Sequence, residues 1–267
     1  MSVDLEDHFC DLPINEWGKY SSRVVNTTKK LLKIFDEHDV QATFFTLGYV
    51  AEKHPELIEE ITKKGHEIAS HGYSHYNLKN LSKESFEKDL LKSIKILEKT
   101  SGDKILGFRA PWFSISEQNL HVFEVLKKFL KYDSSIYPVG PHYGFASAPR
   151  FIYKLNTNKP LEENQNGTFY EIPMATMKLP LLGNFPIAGG IYLRFLPWKF
   201  IKTGIQNINK SNFSTMCYIH PQDLDPQRPK LPGTSWHNYY GLKNSTTKII
   251  SLLKEFKFRT ARDVLKL

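Results

Sequence analysis

HEIASHGYSH, residues 66–75, decides how the rest of the chain is read. Its first half, HEIASH (66–71), is a short apolar run and reads as a strand. Its second half, SHGYSH (70–75), leaves that strand with His71 and His75 four residues apart. Upstream, HPELIEEITKKG (54–65) has Pro55 near its start and Gly65 at its end, the usual asymmetry of a helix. Downstream, SKESFEKDLLKSIKILEKTSG (82–102) sets Phe86, Leu90, Ile94 and Leu97 on one helical face and closes on Gly102. A strand between two helices, ending in side chains with chemical potential, is the repeating unit of a parallel α/β sheet.

The unit recurs in both directions. MSVDLED opens the chain as a strand, with Val3 and Leu5 on one face and Asp4 and Glu6 on the other. Residues 23–38 have helical spacing, QATFFTLGYV (41–50) reads as a buried strand, and ILGFRAP (105–111) as another. A helix at 119–130, a short strand at 132–136, a helix at 197–209, a core strand MCYIHP (216–221) and a helix at 243–258 complete the pattern. The strand–helix count predicts an α/β fold with barrel-like closure. In such barrels the strand C-termini share one face, where active sites are built.

The stretch 138–197 differs. It is rich in proline and contains the polar run NTNKPLEENQNGT (156–168). It reads as a loop-rich insertion with hairpins, and Gly189-Gly190 within it as a tight turn or a close backbone approach. No repeat or linker is visible, so a single domain over 1–267 is expected.

Composition bounds the function. A chain of 267 residues buries a sizeable core without disulfides or a structural metal. With 40% hydrophobic and 24% charged residues it is typical of soluble globular proteins. No apolar run approaches the roughly 20 residues that cross a bilayer. The N-terminus is acidic where a secretory signal is basic and then apolar, so a cytoplasmic location is expected, with peripheral membrane association left open. The net charge of +8 is spread over amphipathic helices such as KKLLK (29–33) and KKFLK (127–131). With no dense basic block, nucleic acid is not an expected partner. Cys10 and Cys217 belong to no CxxC pair and read as buried free thiols.

The residues that carry chemistry cluster at predicted strand ends. Two histidines four apart grip one metal if they share a face, but a metal site needs a third ligand, here a carboxylate. DLED offers Asp4, Glu6 and Asp7. One is a candidate ligand and another a candidate general base. Arg109, in RAP (109–111), ends a strand and can pair with a carboxylate. His220, in YIHP (218–221), can deliver a proton to a leaving group. Asp133, in YDSSI (132–136), can orient that histidine. Each has a plain structural alternative: a solvated strand end, a surface arginine, a half-buried histidine, a turn cap. What outweighs these is convergence, because a barrel brings all its strand ends together.

With those residues in hand, the chain resembles the polysaccharide deacetylases of the NodB-homology type, carbohydrate esterase family 4. VDLED (3–7), SHGYSH (70–75), RAPWF (109–113), YDSS (132–135) and YIHP (218–221) are similar to the family's five motifs, in order. The exopolysaccharide-associated branch is the most similar. The resemblance implies a distorted (β/α) barrel and a metal-dependent hydrolase that removes N-acetyl groups from an N-acetylhexosamine glycan or a glycan precursor. Carried over, Asp4 becomes the general base and His71 and His75 hold a divalent metal, zinc by preference. Arg109 positions Asp4, His220 is the general acid, and Asp133 supports His220. The chain departs from the family at Leu5, where many members have a second aspartate that binds metal. The carboxylate ligand is then Glu6, which shares the face of Asp4 by strand alternation, or Asp7, if a turn begins at Glu6.

Two rival functions fit the same fold. One is a metal amidohydrolase for a small cyclic amide or ureide, or for a lipid-linked formamido sugar. The other is a catalytically silent glycan-binding protein, which the retention of Asp4, both histidines, Arg109 and His220 speaks against.

Overall fold

The computed structural model describes residues 1–140, 145–181, 183–187 and 189–267. Residues 141–144, Pro141 among them, together with 182 and 188, belong to the stretch read as loop-rich and lie outside the described residues. The chain runs β1 (Ser2–Leu5), α1 (Val24–Glu37), β2 (Thr43–Thr46), α2 (Gly48–Lys53), α3 (Pro55–Lys63), β3 (Glu67–Ser70), α4 (Lys83–Ser101), β4 (Gly107–Phe108), α5 (His121–Phe129) and β5 (Tyr132–Asp133). It continues through β6 (Tyr153–Lys154), β7 (Tyr170–Glu171), β8 (Thr176–Leu179), β9 (Gly183–Pro186), α6 (Gly190–Phe195), α7 (Trp198–Lys210), β10 (Tyr218–Ile219), α8 (Leu242–Glu255) and α9 (Ala261–Leu265).

Eight strands form one sheet in the order β10-β1-β2-β3-β4-β5-β7-β6. All neighbours are parallel except the β6–β7 pair. β1 lies between β10 and β2, so the first strand of the chain is locked against the last. The sheet curls into an incomplete barrel, as the strand–helix count predicts. Among the described residues, a parallel bridge from Met174 to Met216 links the chain leaving β7 to the chain entering β10 across the open seam.

Strands β1, β2 and β3 are buried along their whole length, as strands covered by helices on one face and by a barrel interior on the other must be. Alternation assigns the two faces. Val3, Leu5, Phe44 and Ile68 pack outward with Leu31, Phe35 and Leu90 from the helices. Phe45, Ala69, Tyr132 and Tyr218 pack inward. Helix α4 shows how sequence sets the outer layer. Ser82 caps its start through a bond from the Ser85 N–H (3.2 Å), and Gly102 ends it at φ 74°. Phe86, Leu90 and Leu97 bury its stripe; truncating Leu90 to alanine costs about 2–5 kcal/mol.

The inner face is polar as well as aromatic. The Tyr132 hydroxyl donates to Glu67 Oε1 (2.9 Å) and the Thr43 hydroxyl to Glu67 Oε2 (2.7 Å). Buried polar groups of this kind persist because each finds a partner.

Two features depart from the sequence reading and one agrees with it. QATFFTLGYV is not one strand: β2 ends at Thr46 and α2 begins at Gly48. An apolar run of that length does not distinguish strand from helix. Gly48 is required because a Cβ there would lie 2.9 Å from the Tyr73 ring and 3.0 Å from Ser93 Cα. The stretch 138–197 is more than decoration, since β7 joins the main sheet against β5. Gly189 holds φ 106°, and a Cβ on it would meet the Tyr218 ring at 2.0 Å, so this is both a turn and a close approach.

Candidate metal centre and active site

Strand geometry brings the acids of DLED to one place. Asp4 on β1 and Glu6 just beyond it share the inner face, two residues apart. His71 follows β3 directly. The chain then turns through Gly72 (φ 76°), is held by Asp89 Oδ2 on the Tyr73 N–H (2.8 Å), and presents His75 at φ 52°. A non-glycine residue at positive φ costs about 1–3 kcal/mol and is held there by its surroundings.

Glu6, His71 and His75 converge, with one ligand atom from each lying within 4.8 Å of the others. Glu6 Oε2 is 2.8 Å from His75 Nε2 and 3.9 Å from His71 Nε2. The opposite ring nitrogens are engaged elsewhere. His71 Nδ1 donates to the Arg109 carbonyl (2.8 Å) and His75 Nδ1 to the Cys10 carbonyl (2.9 Å). A carbonyl only accepts, so both Nδ1 atoms carry a proton, and both Nε2 atoms turn toward Glu6. That is the arrangement a histidine ligand needs, and the donor set of two imidazoles and a carboxylate fits a divalent transition metal.

Charge agrees with position. Burial alone would raise Glu6, but His75, His220 and His71 outweigh it and hold the carboxyl at about 2. Burial lowers His71 to about 4, which keeps it neutral. For His75 burial works downward, and the adjacent Glu6 reverses it and raises the ring.

Asp4 sits beside this cluster. Arg109, fully buried, donates from Nη1 to Asp4 Oδ1 at 2.5 Å and to the Ser2 hydroxyl at 3.0 Å. Nε and Nη2 donate to the Ser134 carbonyl and hydroxyl, both at 3.1 Å, and Cζ lies 4.0 Å from the Phe45 ring centroid. The guanidinium is thus fixed on all sides, and Asp4 with it.

His220 follows β10 and faces both acids, with Nε2 3.6 Å from Glu6 Oε1 and 3.9 Å from Asp4 Oδ2. Behind it stands Asp223, whose Oδ2 takes the His220 backbone N–H (2.9 Å) and lies 3.5 Å from Nδ1. Burial would lower His220, yet Asp223, Glu6 and Asp4 together raise it to about 9, so it carries a proton at neutral pH. Arg194 Nε lies 3.3 Å from Asp223 Oδ1. Against its burial, Asp223 is held down at about 2 by His220 and Arg194.

Two sequence assignments are corrected. Asp133 does not serve His220; it accepts from the Ser135 hydroxyl (2.6 Å) and N–H (3.0 Å), and pairs across the sheet with Glu171. The carboxylate beside His220 is Asp223. Asp7 is not part of the metal cluster. Its oxygens take the Arg23 and Val24 N–H groups at the start of α1, the Ser22 hydroxyl (2.5 Å) and His8. An acid at a helix N-terminus satisfies its orphan donors, so the carboxylate of the cluster is Glu6.

Asp4, Glu6, His71, His75 and His220 floor a cleft of about 390 Å³. Trp112, 4.2 Å from His75 by ring centroids and tied to Asp11 Oδ1 (2.9 Å), stands over one wall. Arg194, Arg228 and the 234–239 segment form the other.

Both halves of the chain resemble known sequence families. Residues 17–128 match the sequence model of the polysaccharide deacetylases, and residues 134–266 match a domain of unknown function, DUF3473. His71, His75 and Arg109 fall in the first segment and His220 and Asp223 in the second; Asp4 and Glu6 precede both. A Helicobacter pylori peptidoglycan deacetylase is 36% identical over 40% of this chain and 36% of its own. A Bacillus cereus peptidoglycan-N-acetylglucosamine deacetylase is 37% identical over 35% of this chain and 34% of its own. The match therefore spans about a third of these curated relatives. Among solved structures, a Mycobacterium smegmatis protein provisionally assigned as a polysaccharide deacetylase superposes with a TM-score of 0.65, at 20% identity, over 100% of this chain and 87% of its own. An allantoinase does so at 0.61 and 15% identity, over 99% and 82%. The fold is that of the polysaccharide deacetylases, and these two curated relatives are named as deacetylases.

Proposed function

We propose that this chain, which carries a polysaccharide deacetylase domain, is a metal-dependent hydrolase that removes N-acetyl groups from an N-acetylhexosamine glycan or a glycan precursor. The observation that carries the reading is the Glu6–His71–His75 cluster flanked by two different proton-handling groups, Asp4 and His220. The names of the Helicobacter and Bacillus relatives support the substrate class. Exopolysaccharide is a candidate polymer on the motif resemblance alone, while the names of the curated relatives point to peptidoglycan.

A divalent metal held by Glu6, His71 and His75, zinc by the nature of the donors, supplies Lewis acidity to an amide carbonyl and to water. Asp4 accepts the proton of the attacking water. Arg109 keeps that carboxylate in one place and one orientation, which is where the advantage of a positioned base lies. His220, protonated, gives its proton to the departing amine nitrogen as the C–N bond breaks. Asp223 orients the imidazole and stabilises its charged form. The products are acetate and a free amino sugar. Because β1 sits between β10 and β2, acid and base come from adjacent strands at opposite ends of the sequence.

The test is acetate release from N-acetylglucosamine oligomers by the wild type and by Asp4→Asn. A loss of about 10²–10⁴-fold in kcat is expected from removing a general base. Release of ammonia or formate from a ureide or a formamido sugar, with no acetate from any glycan, would replace this reading.

A further inference from the structure

The wall of the cleft built from residues 190–241 ends in exposed aromatic surface. Trp236 is 67% exposed, Tyr240 49% and Phe195 39%. The rings are contiguous: Phe195 and Tyr240 lie 4.2 Å apart by centroid, Phe195 and Trp236 5.8 Å, and Trp236 and Tyr240 5.9 Å. A single exposed ring needs no explanation, but three together do.

The backbone beneath them is held by cations. Arg194 Nη1 donates to the carbonyls of Asn238 and Tyr240, both at 2.8 Å, and Arg228 Nη2 donates to Asn238 (2.5 Å). Lys248 Nζ donates to the carbonyls of Arg194 (2.7 Å) and Leu196 (2.8 Å), on either side of Phe195. Arg194 is buried, and a buried cation is costly unless its donors are used. Here they fix a segment whose aromatic side chains face water. The segment is also continuous with the cleft, since His237, Asn238 and Tyr239 line it between Trp236 and Tyr240.

Rigid aromatic rings offer contact area at little cost in conformational entropy, and their faces suit the C–H face of a pyranose. A lipid surface would be met by rings flanked with outward cations; these cations turn inward to carbonyls. We propose that Trp236, Tyr240 and Phe195 form a stacking subsite for a pyranose ring of the glycan, beyond the sugar that carries the scissile acetamide. This rests on the glycan reading above.

The experiment compares wild type with Trp236→Ala and Tyr240→Ala, each checked by thermal melting. Calorimetric binding of the N-acetylglucosamine hexamer and dimer to chelator-stripped protein is measured beside acetate release by metal-loaded protein. Trp236→Ala is expected to weaken hexamer binding about tenfold, to raise KM for the hexamer with kcat unchanged, and to leave the dimer unaffected. Equal hexamer binding and turnover in wild type and both variants, with acetate still released, overturns the subsite and spares the deacetylase reading. If the wild type neither binds hexamer nor releases acetate, both fall. Binding to phosphatidylglycerol vesicles that Trp236→Ala abolishes, with hexamer binding intact, assigns the rings to a membrane and also overturns the subsite.

Discussion

His75 meets Glu6 at 2.8 Å through Nε2 while its Nδ1 is committed to the Cys10 carbonyl at 2.9 Å. One ring thus has both nitrogens assigned, the inner one to a carboxylate and the outer one to the backbone. His71 repeats the arrangement with the Arg109 carbonyl. A core histidine that merely fills space has no need of two such supports aimed at the same carboxylate.

Arg109 is fully buried and its principal ionic partner is Asp4. Arg109→Met would leave a buried carboxylate without its counter-charge. Unfolding free energy is expected to fall by about 3–5 kcal/mol, measured by denaturant titration. Arg109→Lys restores the charge without the fork that also reaches Ser2 and Ser134, and is expected to recover part of the stability and little of the activity. Unchanged stability in Arg109→Met would remove this pair from the account.

Asp223 and Asp133 make opposite predictions. Asp223→Asn takes away the carboxylate behind His220 and is expected to lower kcat by at least tenfold while KM changes little, because an orienting partner acts mainly in the transition state. Asp133→Asn is expected to act on stability, since its bonds go to Ser135 and Glu171. Steady-state kinetics and thermal melts on both variants decide it. A kcat loss confined to Asp133→Asn would restore the sequence-based assignment.

How much of this was legible in sequence follows from what each residue does. Asp4, Glu6, His71, Arg109 and His220 stand at or just past strand ends, and a parallel sheet gathers its strand ends by construction, so listing them required only finding the strands. Asp133 met the same criterion, but its side chain turns toward Glu171 inside the barrel. Asp223 met no strand criterion, because it lies in the turn after Pro221. Its signal was local: an acid three residues beyond a histidine, placed to take that residue's own N–H. Sequence left Glu6 and Asp7 both open; the structure separates them, with Glu6 in the cluster and Asp7 claimed by the start of α1. Arg194, Arg228 and Trp236 were invisible because nothing local shows a loop returning over a cleft.

His66 gives an acid-sensitivity independent of the site. It lies against Phe35 and Phe44, and its Nδ1 accepts the Ala42 N–H at 3.1 Å. Burial lowers it from 6.5 to about 4. A depressed histidine binds fewer protons folded than unfolded, so its contribution is present above pH 6.5 and is lost as pH falls toward 4. The loss is on the order of 2–3 kcal/mol. Urea midpoints at pH 7 and 4.5 are expected to differ less for His66→Gln than for the wild type. An equal difference in both would show that His66 is not the sensor.

The central claim is that Glu6, His71 and His75 hold a metal, and elemental analysis of purified, zinc-equilibrated protein tests it most directly. The wild type and Asp7→Asn should each retain close to one zinc per chain after dialysis, while Glu6→Ala and the double variant His71→Ala/His75→Ala, shown folded by circular dichroism, should retain almost none. Zinc held undiminished by those variants, or a wild type that retains none, would contradict the account.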